Sequence, residues 1–558
     1  MTNENYWLRA QNRRVSRRGL LRGTATAGAG LAGLALVGCG DDDDTAASPT
    51  AAGPAGTTTA AASPTTPVAT RKLGGTLRVG NGTMLGQFEP NVSTSAIDWA
   101  VLYAIYDTLF TTDYAGTIKP NLVSSYEVTS GQITLKLRPD VKFQDGTPFN
   151  AQALKRNVER TLQLGAQSRV FSQWSQVETV TTPDASTAVL KLKTPQYGPL
   201  IANLAGVAGA MPSPDAIEKL GEDFRGKPVG SGPYKVDSVQ LDSRVVLTAN
   251  KEYWNAKEGG PYLDKIDFKI VAQAPALVTS MQAGELDLIH YAVPPSAAEL
   301  DQIKTASGIS LTELPGHSFQ EVRINRGKPP FDNTDLLKAF GYAIDRKALL
   351  AGIFGNAGVV AGGPINPATW AFDPNFKGFN LTDAEREAKV KEHLQKAGSA
   401  SGFNLTLDYG GTATQTAEAI AQLILKHGLK AEIKALPVIA GGSALFEGLF
   451  TAVPSFTPQY SPDPDSIFRP NFYKTGQFNY HRYSNPELDA LLDKAAEETD
   501  QAKRKTLYWD AQKLVFESGI PRIPTIHSLV RVPVRKTVKD LVVGFDSYVR
   551  LGAVWLDS

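Results

Sequence analysis

The chain has 558 residues and one cysteine, Cys39, so no internal disulfide can form. Its stability must come from core size, and the length is ample for two or more lobes. No charge of either sign dominates: 57 Lys and Arg face 56 Asp and Glu. Removing residues 1–38 takes away six arginines and one glutamate and leaves a net charge of −4. That balance argues against nucleic acid, which would want a basic surface. After residue 38 no segment is apolar for 18 residues, so no later membrane span is expected. The sequence contains no HExxH, GxSxG or GxxxxGK[ST] pattern. Gly230-Ser231-Gly232-Pro233 carries two of three dinucleotide-loop glycines, but Pro233 and Lys235 spoil the third. The six histidines, at 290, 317, 393, 427, 481 and 527, have no ligand spacing. No cofactor, no metal and no enzymatic activity are therefore expected.

What is present begins at the N-terminus. Ser16-Arg17-Arg18-Gly19-Leu20-Leu21-Arg22 precedes a run of Gly, Ala, Leu and Thr that ends in Leu36-Val37-Gly38-Cys39. A basic start, an apolar stretch and a small residue before a cleavage point make a secretory signal peptide, and the paired arginines point to twin-arginine export. A cysteine after that small residue resembles the lipobox of bacterial lipoproteins, in which it is lipidated and becomes the new N-terminus. The alternative is a membrane-spanning anchor. Gly23 to Gly38 is only 16 residues with five glycines, whereas a span needs about 20 apolar ones. The expected localisation is the extracytoplasmic face of the cell membrane, lipid-anchored through Cys39.

Residues 45–70 are an Ala/Thr/Ser/Pro/Gly tract whose only large apolar side chain is Val68. Such a segment cannot bury a core and reads as a tether. Folded sequence starts near Arg71. Gly75 to Gly80, Ile133 to Arg138, Ser186 to Leu192 and residues 266–271 and 403–409 read as strands. Ala96 to Phe110, Ala151 to Leu164, Asp383 to Lys396, Pro486 to Glu498 and Arg504 to Ser518 read as helices, with Asn150 as an N-cap. Helices and short strands intermix without a repeat, so the class is α/β or α+β with several lobes.

Several segments together resemble the extracellular solute-binding proteins of the peptide/nickel class of ABC importers. They are Tyr106-Asp107-Thr108-Leu109-Phe110, Leu137 to Phe149 (LRPDVKFQDGTPF), Val229 to Tyr234 (VGSGPY) with Asn250 to Trp254 (NKEYW), and Gly284-Glu285-Leu286-Asp287. Pro329 to Asn333 (PPFDN) with Ala343 to Arg346 (AIDR), Gln459 to Pro464 (QYSPDP), and Tyr483 to Asp489 (YSNPELD) follow in the family's order. Most of these read as structural: Tyr253 and Trp254 as packing aromatics, Asp332 and Asp463 as N-caps. The resemblance implies a two-lobe periplasmic-binding-protein-like α/β fold with a hinge and an extra subdomain on the first lobe. Its expected boundaries are 1–38 for the signal peptide, 39–70 for the anchored disordered linker, 71–115 with 196–312 and 523–558 for lobe I, 116–195 for the extra subdomain, and 313–522 for lobe II. It also implies a monomer that captures a small solute in the inter-lobe cleft and delivers it to ABC permease subunits. An anchored extracellular hydrolase and a receptor for a membrane sensor are the alternatives.

In peptide-binding members an aspartate three positions before the Asp-Pro pair holds the peptide's α-ammonium. The corresponding position here is Tyr460, although Asp463 itself remains. A charge-assisted bond contributes about 1.5–3 kcal/mol, so its loss disfavours free-amine peptides. A tyrosine suits a sugar or a flat or cationic organic solute instead. The expected ligand-binding set is Tyr460, Ser461, Asp463, Trp370, His317, Phe319, Tyr114, Trp99 and Phe88. His317 and Phe319 lie where the chain should cross between lobes, and Trp370 lies in a loop resembling the family's aromatic loop; loop packing is the other reading of His317 and Trp370.

Overall fold

A computed structural model describes residues 71–558 except 83–87, 94–97, 241–242, 291–296, 411–412, 438–443, 446, 458, 460 and 558. Cys39, the signal peptide and the tether lie outside the described residues. Ala69–Ser558 forms one compact unit.

An eleven-stranded mixed sheet runs through this unit. At one end Thr76–Asn81 pairs in parallel with Lys265–Ile270 and with Leu288–His290. At the other Asn404–Tyr409 pairs in parallel with Lys430–Ala435. Two long antiparallel strands, Ile309–Ile324 and Arg522–Arg535, join the halves. Their ladder slips between Pro315 and Phe319. There the Ser528 carbonyl would lie 2.7 Å from a Cβ at position 316, so Gly316 allows the strands to approach. A separate four-stranded antiparallel sheet is built from Val123–Thr129, Gln132–Leu137, Thr187–Leu192 and Val177–Asp184.

Apolar side chains gather in separate clusters. One holds Leu77, Val79, Ile105, Leu135, Leu190, Val532 and Val534. Another holds Phe319, Val322, Phe340, Leu407, Ile420, Ile523 and Ile526. A third, smaller one centres on Leu277, Met281 and Ile303. Arg522–Arg535 runs from the second core to the first, and Ile309–Ile324 runs from the small third cluster to the second core, so both long strands cross between the halves as hinge segments do.

The local signals explain much of this. Asn150 caps Ala151–Leu164 by accepting from the Ala153 amide at 2.9 Å. Thr382 and Glu385 form a capping box on Asp383–Lys396. Asp332 is not the cap expected from its position: Asn333 caps Thr334–Ala343, accepting from the Asp335 and Leu336 amides. Asp463 does serve the start of Asp465–Phe472: its carboxylate accepts from the Asp465 amide at 3.0 Å, one residue ahead of the helix entry at Pro464.

Four of the recognisable segments, Tyr106–Phe110, Leu137–Phe149, Val229–Tyr234 and Asn250–Trp254, converge on one another beside the first core. Asp107 is buried and accepts from the Tyr253 hydroxyl at 2.9 Å, the Trp254 indole at 2.7 Å and Ser231 at 3.2 Å. Burial pushes this carboxyl up to about 6 against those donors. Gln144 donates to the carbonyls of Ile105, Gly232 and Tyr234. The Ile105 carbonyl oxygen lies 2.2 Å from a Cβ placed at 230 and 2.6 Å from one at 232, so both glycines are required by backbone contact. These motifs are scaffold.

Candidate functional site

The second half of the long strand Ile309–Ile324 carries two charged residues among apolar neighbours, Glu321 and Arg323. The strand's period of two puts both on one face. Ala452–Thr457 pairs alongside and places Thr457 beside them, and Arg522 enters from the other long strand. The Glu321 carboxylate accepts from Arg323 Nε at 2.7 Å, Arg522 Nε at 2.9 Å and Thr457 Oγ1 at 2.6 Å. Its side chain has no solvent exposure. Burial alone would raise Glu321, but Arg522 and Arg323 override it and hold the carboxyl down at about 2. The Tyr480 hydroxyl accepts from Arg323 and also hydrogen-bonds Arg522.

A cavity of about 750 Å³ opens against this cluster. Arg323, Arg522, Thr457 and Tyr480 line it, together with Phe478 and Tyr473. Its opposite wall comes from residues 172–203, including Gln173, Lys193 and Asn203. The two walls belong to different cores, so the cavity lies in the inter-lobe cleft. The lobes also touch directly. A Cβ at Gly116 would lie 2.6 Å from Pro462, and one at Gly198 would lie 2.4 Å from the Arg504 guanidinium. These are the contacts of a closed cleft.

Of the expected residues, the cavity wall takes Ser461 and Asp463. Ser461 accepts from the Asp463 amide through its hydroxyl and from Gln459 and Ser466 through its carbonyl. Asp463 is 2% exposed and faces Arg504 in a two-pronged pair at 2.6 and 3.0 Å, with the Tyr508 hydroxyl at 3.1 Å. Trp370 sits behind that pair, with the Arg504 guanidinium 5.5 Å above its ring. Asp465, next along the wall, is held by Arg469 at 3.0 Å, and burial pushes it up to about 6. Tyr460 lies outside the described residues.

The remaining expected residues stand away from the cavity wall. Tyr114 and His317 meet at the lobe crossing: the Tyr114 hydroxyl donates to the Pro315 carbonyl, and His317 Nε2 lies 3.1 Å from the Tyr114 carbonyl. Burial holds His317 down at about 4, so it is neutral. Phe319 is buried in the second core against His527. Trp99 packs edge-on to Tyr548 at 5.2 Å. Phe88 is fully buried in the first core. The residues that sequence reasoning missed are Glu321, Arg323, Arg522 and Tyr480. The available signal was Glu321-Val322-Arg323, two opposite charges two residues apart on one face of the strand.

No group of three or more His, Cys, Asp or Glu among the described residues could hold a metal ion. No described helix is long and apolar enough to cross a membrane.

Residues 117–479 match the model of the bacterial extracellular solute-binding proteins, family 5 middle region. The chain is similar to the glutathione-binding protein GsiB of Escherichia coli strain K12, with 28% identity over 467 residues, 80% of this chain and 87% of that protein. It is 27% identical over 457 residues to the GsiB of Pectobacterium atrosepticum, 78% of this chain and 85% of that protein. In fold it resembles HbpA2 from Haemophilus parasuis, with a TM-score of 0.75, 24% identity, and coverage of 87% of this chain and 100% of that one. It also resembles the periplasmic binding protein DppA from Helicobacter pylori in complex with the peptide STSA, with a TM-score of 0.72, 23% identity, and coverage of 87% and 99%. The two cores, the crossing strands and the cleft between them are thus those of a two-lobe periplasmic binding protein, and the chain belongs to the family 5 bacterial extracellular solute-binding proteins, the solute-capturing components of ABC importers.

Proposed function

We propose that this chain is a membrane-tethered receptor that closes its two lobes over a small organic solute and hands it to an ABC permease. The observation that carries this is the cavity of about 750 Å³ between walls from two different cores, lined by polar and aromatic side chains. A volume of that size suits a drug-sized or tripeptide-sized molecule. Lid closure of this kind is a hinge motion about the long strands. We keep the two-lobe division as a proposal but move the return to lobe I beyond residue 523, because Ile523 and Ile526, expected in lobe I, pack in the second core.

The tether is proposed on sequence alone: Cys39 is lipidated, and the 26 residues 45–70 would span roughly 25–30 Å if random-coil-like. Replacing Cys39 by Ala releases the protein into the medium if this is right; retention in the membrane fraction contradicts it.

Related proteins are named for glutathione, and a related structure holds a peptide. This cleft gives little support to a free-amine ligand. Asp463 is already neutralised by Arg504, and Asp465 is held by Arg469. Solute binding is tested by a melting-temperature screen of peptides, oligosaccharides, metal chelates and organic acids. At least one class should raise the melting temperature, and no shift from any class would overturn the reading.

A further inference from the structure

The geometry points to an anion seat in the cleft, formed by Arg323, Arg522 and Tyr480, that takes a carboxylate of the captured solute. This inference rests on the solute-binding reading above and specifies the class of ligand.

The cluster carries one more positive than negative charge at close range. Two guanidinium groups converge on one carboxylate, Glu321, and both line the cavity. Their side chains are only 12% and 3% exposed, so water does little to screen the surplus positive charge. Nothing nearby among the described residues offsets it. Tyr480 is protonated, since burial raises its phenol. His481 is fully buried beside it, kept neutral by burial and by Arg522, with no hydrogen bond to either ring nitrogen from the described residues. Across the cavity stands Lys193, another cation. The acids on the wall are committed elsewhere: Asp463 to Arg504 and Asp465 to Arg469.

An arginine fork matches a carboxylate in shape as well as charge, and two forks beside a hydroxyl donor hold one oxyanion from several sides. Phe478 and Tyr473 on the same wall offer apolar surface to the rest of the ligand. A small amphipathic organic acid satisfies both features. An ammonium placed here would face a like charge.

The experiment is isothermal titration of the mature chain with matched pairs: glutathione against its diethyl ester, and N-acetylated dipeptide acids against their amides. Acids should bind and their neutral partners should bind at least about tenfold more weakly, the scale of one charge-assisted contact. Arg323→Gln should reduce affinity for the acid about tenfold or more. Tyr480→Phe, which keeps the packing, should reduce it several-fold. Glu321→Gln removes the competing carboxylate and should leave acid affinity equal or higher, a direction that mere structural damage does not produce. Neutral or cationic solutes that bind as well as acids, with Arg323→Gln silent, would overturn the anion seat and leave the solute-binding reading intact. No heat from any member of these pairs or of the broader screen would overturn both.

Discussion

Two carboxylate–arginine clusters stand on the same wall of the cleft, and they differ by one arginine. Asp463 meets Arg504, one charge against one, with Tyr508 and the face of Trp370 closing the pair from behind. Glu321 meets Arg323 and Arg522, one charge against two, and opens on the cavity. A matched buried pair is complete and holds structure. A mismatched one needs a further anion, and only a ligand can bring it to a closed cleft. Burial of ionic groups is thus not itself the mark of a site; the charge imbalance is.

The largest expected effect breaks the matched pair. Arg504→Met strands Asp463 without a partner and should cost about 3–5 kcal/mol of unfolding free energy, read from the urea midpoint, with no rescue by organic acids. At the mismatched cluster, Arg522→Met leaves Glu321 still held by Arg323. Its stability cost should be lower, about 1–3 kcal/mol, while affinity for an acid falls tenfold or more. An equal stability loss in the two variants would erase the distinction.

Acid sharpens the contrast. Burial holds His290 and His317 down at about 4 and His527 at about 3, so the folded chain resists protonation that the unfolded chain accepts near 6.5. Each histidine therefore stabilises the fold above 6.5 and loses that contribution as pH falls toward its folded value. Asp107 and Asp465, both raised to about 6, work the other way, favouring the fold as pH drops through 6. His481 is held neutral by burial as well, so the net loss between pH 6.5 and 5.5 should be about 2–3 kcal/mol, seen as a lower melting temperature. Glu321, at about 2, stays ionised throughout, so acid affinity should stay level over that interval. The smallest effect concerns closure. Gly116→Val places a side chain against Pro462 and should weaken solute binding several-fold without changing which charge class binds.

Much of the fold was legible. Asn150 and the apolar spacing after it define Ala151–Leu164 to the residue, because cap and periodicity are both local. Arg504 to Ser518 was read too short at its start: the helix begins at Gln501, capped by Asp500, where no large apolar residue marks the first turn. Asp332 and Asn333 show the limit of cap reading, since either side chain can do the job and backbone geometry selects Asn333. The site was less legible. Ser461 and Asp463 come from a local motif, but Glu321 and Arg522 are 201 residues apart and meet only through the pairing of the long strands. Asp463 and Arg504 are 41 apart and join across helices. Trp370 was expected to face the ligand, and instead backs the Asp463–Arg504 pair, a role set by tertiary packing. Phe88 and Phe319 are buried for the plain reason that large apolar side chains go to the core.

The most direct test is a crystal structure of the chain bound to an acid identified by titration. The account predicts a carboxylate at charge-assisted hydrogen-bond distance, about 2.7–2.9 Å, from the guanidinium of Arg323 or Arg522, with Asp463 still on Arg504. A ligand that leaves both arginines untouched, or that displaces Arg504 to set an ammonium on Asp463, would contradict it.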